Sequence, residues 1–418
     1  MNEKEKIIPF TKEMKEKYTV LVPNMLDIHF EFLVRVFNFH GYNMVLLKND
    51  GRAVVDEGLK YVHNDTCYPA LLIIGQFIDA LNSGKYDLDK TALLITQTGG
   101  GCRASNYIHL LRKALIKAGY GDIPVLSLNI SGLEKEASVE ISLPLIRKVI
   151  AVLAYGDLLM LLRNQVKPYE VHKGDSDRLV HHWVELLCGE FDKGKGYSGR
   201  QMKRYYKKIL SSFADVEVKK TYKERVGIVG EIFVKYSPLA NNHLEEFLIE
   251  QDCEVHLPGL MHFMLFIIDT KIDNHELYGG SRVKNAIYKA AWKFMMRVED
   301  RVHAAIVKDG RFRPDLSYKK VRDSVNDIIG HGCVMGEGWL LTAEMMSLIE
   351  SGCNNIICAQ PFGCLPNHIV GKGMIRKVKG AYPDANIVPI DYDPGATQVN
   401  QENRIKLMLA VAKEKSSK

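Results

Sequence analysis

The stretch Cys353-Asn-Asn-Ile-Ile-Cys-Ala-Gln-Pro-Phe-Gly-Cys-Leu-Pro-Asn-His368 joins a short apolar run to a turn that contains glycine, cysteine and proline. The apolar residues over 355–359 predict a buried strand, and Gly-Cys-Leu-Pro predicts the turn that opens a helix. A cysteine at a helix start faces backbone N–H groups and the positive end of the helix dipole, which favour its thiolate. The stretch therefore predicts a strand–turn–helix unit that carries a chemically active thiol.

The same alternation of short apolar runs and helical patterns recurs along the chain. Further strands are predicted at 18–23, 42–47, 91–96, 123–128, 225–235 and 387–390, and helices near 27–39, 70–82, 106–118 and 398–412. Short apolar strands separated by helices are typical of a parallel sheet that is covered on both faces. Residues 136–222 show helical periodicity and almost no strand signal. We therefore expect an α/β protein with two Rossmann-like parallel-sheet domains, 1–135 and 223–418, and a helical layer or insertion over 136–222.

The composition is that of a globular protein, with 46% hydrophobic and 25% charged residues in a chain of 418. The net charge of +6 comes from 56 basic and 50 acidic residues mixed throughout the chain, which favours a solvated surface over a nucleic-acid partner. The charged residues 1–6 contain no apolar core of a signal peptide, which predicts a cytoplasmic location. The apolar run 149–162 is interrupted by Asp157 and predicts a buried helix, so no membrane partner is expected.

Eight cysteines in a cytoplasmic chain point to metal ligation or redox chemistry for those that share a context. Cys67 precedes a predicted helix, and Cys102 and Cys364 each lie between a predicted strand and a predicted helix. Ligands of open α/β sheets bind at the carboxyl ends of the strands, where these thiols are expected. Three thiolates and one open position suit an iron–sulfur cluster whose free iron meets the substrate, and a zinc site is the alternative.

Further residues near these cysteines are candidates for contacts with the substrate or with the ligands. They are His63, Gly100, Gly101, Glu337 and His368. The glycines before Cys102 match neither a dinucleotide fingerprint nor a P-loop, so no nucleotide site is predicted there. Glu337 suits acid–base chemistry, although a carboxylate at a helix N-terminus is equally expected on electrostatic grounds alone.

The other cysteines have different expected roles. Cys358 lies inside the apolar run and is expected in the strand core, Cys353 follows a helix end, and Cys188 and Cys253 are expected to be structural. Cys333 lies in a glycine-rich loop and competes for a place in the site.

Several motifs together give the chain a family resemblance. They are residues 63–69, 97–103, 229–235 with 241–243, 336–344, 360–374, and 390–393 with 403–405. They cover nearly the whole chain, which resembles the 2-hydroxyacyl-CoA dehydratase and benzoyl-CoA reductase superfamily. The closest resemblance is to its activase-related branch, for which Gln-Pro-Phe-Gly-Cys-Leu-Pro-Asn-His is specific.

This resemblance implies paired α/β domains that hold a [4Fe–4S] cluster, or a double-cubane cluster, through Cys67, Cys102 and Cys364. It implies an oxygen-sensitive protein that accepts low-potential electrons from a separate ATP-hydrolysing activase and acts on a CoA-linked or other small substrate. The relatives also make a homodimer plausible. The alternative is a non-catalytic, cluster-carrying scaffold or partner subunit of an activase–dehydratase system, so whether the chain is an enzyme stays open.

Overall fold

Two four-stranded sheets, both entirely parallel, form the framework of the protein. The structure, a computed structural model, describes residues 7–63, 65–97, 101–129 and 142–416. The strand orders are β2-β1-β3-β4 and β6-β5-β7-β8. Helices flank both sheets, as the sequence predicts, so the α/β class with two Rossmann-like units is confirmed.

The first sheet and its helices come from the N-terminal third of the chain. The strands are β1 (Thr19–Val22), β2 (Asn43–Leu46), β3 (Thr91–Gln97) and β4 (Val125–Asn129), and the helices are α1 (Lys12–Lys17), α2 (Asp27–Asn38), α3 (Arg52–Tyr61), α4 (Tyr68–Asn82) and α5 (Tyr107–Ala118), with 3₁₀ turns at Leu88–Lys90 and Arg103–Asn106. Val20, Leu21 and Leu93 are completely buried because helices cover both faces of the sheet.

Three helices form the layer that follows. They are α6 (Leu143–Val166), α7 (Asp175–Asp192) and α8 (Gly199–Ala214), with a 3₁₀ turn at Lys167–Tyr169. Helix α6 packs against α2 of the first unit and against two helices of the second, α12 (Leu260–Tyr278) and α13 (Arg282–Asp309). Its carboxylate Asp157 accepts a hydrogen bond from His29 at 2.8 Å and from the backbone amides of Leu260 and Met261 at 2.7 and 2.8 Å. One buried helix therefore joins both sheets.

The second sheet and its helices complete the chain. The strands are β5 (Glu224–Gly230), β6 (Cys253–His256), β7 (Asn355–Pro361) and β8 (Asn386–Tyr392), and the helices are α9 (Ile232–Tyr236), α10 (Pro238–Asn241), α11 (Leu244–Glu250), α12 (Leu260–Tyr278), α13 (Arg282–Asp309), α14 (Tyr318–Ser324), α15 (Gly338–Glu350), α16 (Leu365–Val370), α17 (Ile375–Ala381) and α18 (Gln398–Ser416), with a 3₁₀ turn at Lys372–Met374. Cys358 is completely buried in β7, which confirms its predicted place in the core.

One local expectation for the second unit is wrong, and one strand has no predicted counterpart. The segment 225–235 is not one strand, because β5 ends at Gly230 and α9 begins at Ile232. The turn requires glycine at position 230. The φ of Gly230 is +142°, and an added Cβ would lie 1.7 Å from the carbonyl oxygen of Ala359. Strand β6 has no predicted counterpart, since Cys-Glu-Val-His is short and half polar.

None of the helices in the described ranges is long and apolar enough to cross a membrane. Helix α6 is the longest apolar candidate from the sequence, and it lies inside the protein with Leu158, Leu159 and Leu162 completely buried. The run 149–162 is therefore part of a buried helix, as predicted.

Candidate functional site

Cys102 and Cys364 are two of the three cysteines that are predicted to be ligands. Each follows a strand at which the strand order of its sheet reverses. Cys102 follows β3, which pairs with β1, and Cys364 follows β7, which pairs with β5. The carboxyl edge at such a reversal is where parallel sheets form a crevice for ligands. Cys67 directly precedes α4 and is 8% exposed. The sequence therefore places these thiols correctly relative to strands and helices.

All three thiols lie within electrostatic range of one carboxylate, that of Glu231 in the turn after β5. Burial is the main cause that raises the pKa of each thiol, to about 12 for Cys67, and the charge of Glu231 raises it further in all three. Cys67 also interacts electrostatically with Cys102 and with Cys364. The structure thus brings two cysteines of the first unit and one of the second toward a common interior.

The Cys67 sulfur has a specific partner that sequence reasoning did not find. The hydroxyl of Tyr107, the first residue of α5, donates to Cys67 Sγ at 3.1 Å. Burial, followed by the charge of Cys67, raises the pKa of Tyr107 well above its usual value, so this hydroxyl stays protonated. A protonated donor at this distance stabilises negative charge on the sulfur.

The loops that carry Cys67 and Cys102 are joined to each other. Arg103 donates from Nη1 to the carbonyl oxygen of Asp65 at 2.7 Å. The Cys102 carbonyl accepts from the amide and the hydroxyl of Ser105, at 3.1 and 2.8 Å. The Arg103–Asp65 hydrogen bond therefore joins the two loops, and Ser105 holds the backbone at Cys102.

Cys364 belongs to a buried polar cluster of the second unit. Asn367 Nδ2 donates to Cys364 Sγ at 3.5 Å and to Glu337 Oε2 at 2.8 Å, and the amide of Ile232 donates to Glu337 Oε1 at 3.0 Å. Asn367 is completely buried and Glu337 is 7% exposed. The amide of Asn367 therefore fixes both the thiol and the carboxyl group.

Glu231 and Glu337 form a pair of carboxyl groups beside the thiols. Burial raises the pKa of both, and the charge of Glu337 raises that of Glu231 further. Two nearby carboxylates that are shielded from water favour a state in which one of them holds a proton. Glu231 Oε2 also accepts from the Val234 amide at 2.8 Å, and Lys235 forms a buried ion pair with Glu344, with N···O distances of 2.9 and 3.1 Å. The Glu231–Glu337 pair is thus suited to proton donation at neutral pH.

The remaining predicted residues are spread around this cluster. The His63 side chain is 75% exposed and lies 3.4 Å from Asp65. His368 Nδ1 lies 2.8 Å from the Cys364 carbonyl oxygen. An added Cβ on Gly101 would lie 2.9 Å from Met335 Cε, which places the Cys102 loop against the second unit.

Two further candidates add little to the buried cluster. Gly100 lies outside the described residues. Cys333 is half-buried, and burial alone raises the pKa of its thiol, without the effect of Glu231 that the other three share. Cys333 therefore differs from the three predicted ligands in its electrostatic surroundings.

The candidate ligands are three thiols, the type of side chain that holds iron–sulfur clusters and other thiophilic metals. Within the described ranges, no group of three His, Cys, Asp or Glu side chains is arranged to hold one metal ion. The three thiols and two carboxyl groups oppose one another's ionisation, and a cationic metal centre would offset this repulsion and favour the thiolates. The candidate ligands come from separate loops of the two units.

The fold and this site define a two-unit parallel α/β protein with thiols and carboxyl groups in the segments that follow its strands. No family model matches the sequence, and no curated protein matches it.

Proposed function

We propose that the protein is an iron–sulfur protein of the 2-hydroxyacyl-CoA dehydratase and benzoyl-CoA reductase type. The observation that carries the proposal is the placement of Cys102 after β3 and of Cys364 after β7, the strands at which the order of each sheet reverses. Cys67 interacts electrostatically with both thiols. These three thiolates would hold the cluster, and a [4Fe–4S] cluster with three protein ligands supplies electrons and an open iron for a substrate oxygen. A double-cubane cluster is compatible with the same donors.

The protein's own groups would position the ligands and move a proton. Tyr107 and Asn367 donate hydrogen bonds to two of the three sulfurs, at 3.1 and 3.5 Å. Hydrogen bonds to the ligating sulfur atoms are among the factors that set the reduction potential of a cluster. The Glu231–Glu337 pair would supply the proton that a leaving hydroxyl group or a reduced carbon requires.

A cluster of this kind requires a source of low-potential electrons, and we propose an ATP-hydrolysing activase as the partner. Four large apolar side chains near the cysteine loops are exposed, namely Met335 at 57%, Phe362 at 64%, Leu365 at 68% and Ile369 at 52%. Exposed apolar groups beside a site favour a protein–protein contact. The substrate would be CoA-linked or another small molecule.

The same apolar surface also favours the second candidate, a non-catalytic protein that carries a cluster for an activase or dehydratase partner. The two candidates differ in turnover. A panel of 2-hydroxyacyl-CoA compounds, offered together with a reducing activase, would be converted by an enzyme and left unchanged by a carrier.

Anaerobic purification with iron and sulfide analysis tests the proposal directly. Wild-type protein should contain both elements and give an electron paramagnetic resonance signal after reduction by dithionite. The triple variant Cys67→Ala/Cys102→Ala/Cys364→Ala should lose both, and Cys333→Ala should keep them. Equal iron in the triple variant and the wild type would refute the proposed ligands, and zinc in place of iron would show a zinc protein.

A further inference from the structure

A cavity of about 540 Å³ lies where the first sheet, the helical layer and the second unit meet. Asn24 and Leu47 line it from the segments after β1 and β2, Arg163 from α6 and Pro238 from α10. Its volume is within the range of about 300–1,000 Å³ that is usual for small-molecule sites. None of the cysteines or carboxyl groups of the candidate cluster site lines this cavity, so it is a separate site.

The inner wall of the cavity is apolar. It is lined by the buried side chains of Leu26, Leu47, Met160, Val180, Val184 and Tyr236. The Tyr236 hydroxyl is already bonded to the carbonyl oxygen of Pro258 at 2.6 Å, so its ring contributes apolar surface. A ligand that fills the cavity would therefore have an apolar body.

The inner basic groups of the wall are already neutralised within the protein. Asp177 accepts from Arg163 Nε at 2.6 Å and lies 2.9 Å from Lys167 Nζ. Arg163 also lies 3.6 Å from Glu245, which accepts from Asn164 at 3.0 Å. These cations are held by carboxylates of the wall, so an anionic ligand would have to compete with existing ion pairs.

The remaining charge of the wall is negative. Among the described residues that line the cavity, six are carboxylates and three are Lys or Arg. Asp27, Asp50 and Glu246 lie outside the Arg163–Lys167–Asp177 group, and Asp50 is 3.5 Å from His243. Burial raises the pKa of Glu245, and the charge of the adjacent Glu246 raises it further. The carboxylates that line the cavity therefore outnumber the Lys and Arg side chains that line it.

Three buried polar atoms of residues that line this cavity also have no hydrogen-bond partner in the described part of the chain. They are Asn24 Oδ1, Asn49 Oδ1 and Ser237 Oγ, and Ser237 is only 1% exposed. The amide orientation of Asn49 is fixed, because Nδ2 donates to the Gln76 carbonyl at 2.9 Å and to Asp79 at 2.7 Å. Buried polar atoms without a partner are costly, so these residues of the wall are not fully satisfied within the described part of the chain.

We propose that this cavity binds an organic cation with an apolar body, of the alkylamine or alkyldiamine class. The ammonium group would be attracted by the carboxylates of Asp50 and Glu246, and the alkyl chain would cover the apolar inner wall. The proposal is independent of the cluster.

Isothermal titration calorimetry of the full chain with three ligands of equal length tests this proposal. Hexamethylenediamine should bind, and its affinity should fall as the salt concentration rises. Hexanediol, which has no charge, and adipate, which has the opposite charge, should bind much more weakly. The proposal is overturned if hexanediol binds as well as the diamine, if adipate binds better, or if no ligand binds.

A matched pair of variants on α11 places the binding at this cavity. Glu246→Gln should weaken diamine binding roughly threefold to tenfold, as expected for the loss of one partly screened ion pair. Glu250→Gln changes an exposed residue of the same helix that does not line the cavity and should leave the affinity unchanged. Equal effects of the two variants would contradict the assignment. Both variants should keep the iron content of the wild type, which separates this test from that of the cluster.

Discussion

At the scale of single residues, the sulfur of Cys67 depends on one hydroxyl group from another helix. Tyr107 Oη donates to Cys67 Sγ at 3.1 Å and is buried with it. Under the proposed function, this hydrogen bond would stabilise the more negative, reduced form of the cluster.

The variant Tyr107→Phe should therefore lower the reduction potential of the cluster. It should also weaken cluster retention by roughly 10- to 100-fold in affinity, because it removes a hydrogen bond to a ligating sulfur. Potentiometric titration followed by electron paramagnetic resonance measures the first effect. Tyr120→Phe removes an exposed hydrogen bond to Asn82 and should leave the potential unchanged. An unchanged potential in Tyr107→Phe would contradict the assigned role.

A second residue-scale prediction concerns the dependence of stability on pH. Burial lowers the pKa of His262. Glu299 at 3.6 Å, together with the charges of Asp315 and Asp157, outweighs burial, so the pKa of the histidine is raised above 6.5. The resulting stabilisation is complete below pH 6.5 and is lost as the pH rises through the raised value. In urea unfolding, wild type should lose more stability between pH 6 and pH 8.5 than Glu299→Gln. Equal losses would show that this pair does not contribute.

At the scale of elements, the turn between β5 and α9 positions Glu231. Gly230 has φ +142°, and any Cβ there would collide with the backbone of β7. Gly230→Ala should therefore destabilise the protein by at least about 3 kcal/mol. Gly189→Ala is the matched control, because it lies inside α7 with open space around it. It should stabilise the protein by roughly 0.5–1 kcal/mol, and thermal unfolding of both variants decides the comparison.

The elements also show which parts of the fold and site could be predicted from the sequence. Continuous apolar runs predicted β1, β3 and β7 because these strands are buried on both faces. Strand β6 lacks such a run, and α9 was predicted as strand because Ile-Phe-Val is apolar in either conformation. Short apolar segments do not distinguish the two states by periodicity.

The site could be predicted only in part for a related reason. The cysteines next to predicted turns could be identified as candidate ligands from the sequence, because the residues that form a turn are adjacent in the chain. Tyr107 and Asn367 were not, because each acquires its role from a side chain that the fold brings to it. Glu231 belonged to a recognised motif, but only the fold places its charge near three cysteines.

At the scale of the whole molecule, Asp157 of α6 is bonded to both units at once. It accepts from His29 of α2 and from the first two amides of α12. Asp157→Ala would leave the buried imidazole and these amides without their acceptor, at a cost of roughly 2–4 kcal/mol. Urea unfolding should show this loss, and Asp327→Asn, at an exposed position, should stay within about 0.5 kcal/mol of wild type. A loss of similar size in both variants would argue against a specific role for Asp157.

The link between Arg103 and the Asp65 carbonyl has a consequence for the order of biosynthesis. It joins the loops of Cys67 and Cys102 within a unit that the ribosome completes before the second unit. Cys364 is synthesised more than two hundred residues later, after the helical layer and most of the second sheet. Domains generally fold as units in N-to-C order during synthesis. Under the proposed function, a nascent chain would present a pair of thiols long before it could hold a cluster, so cluster insertion would follow the folding of the second unit.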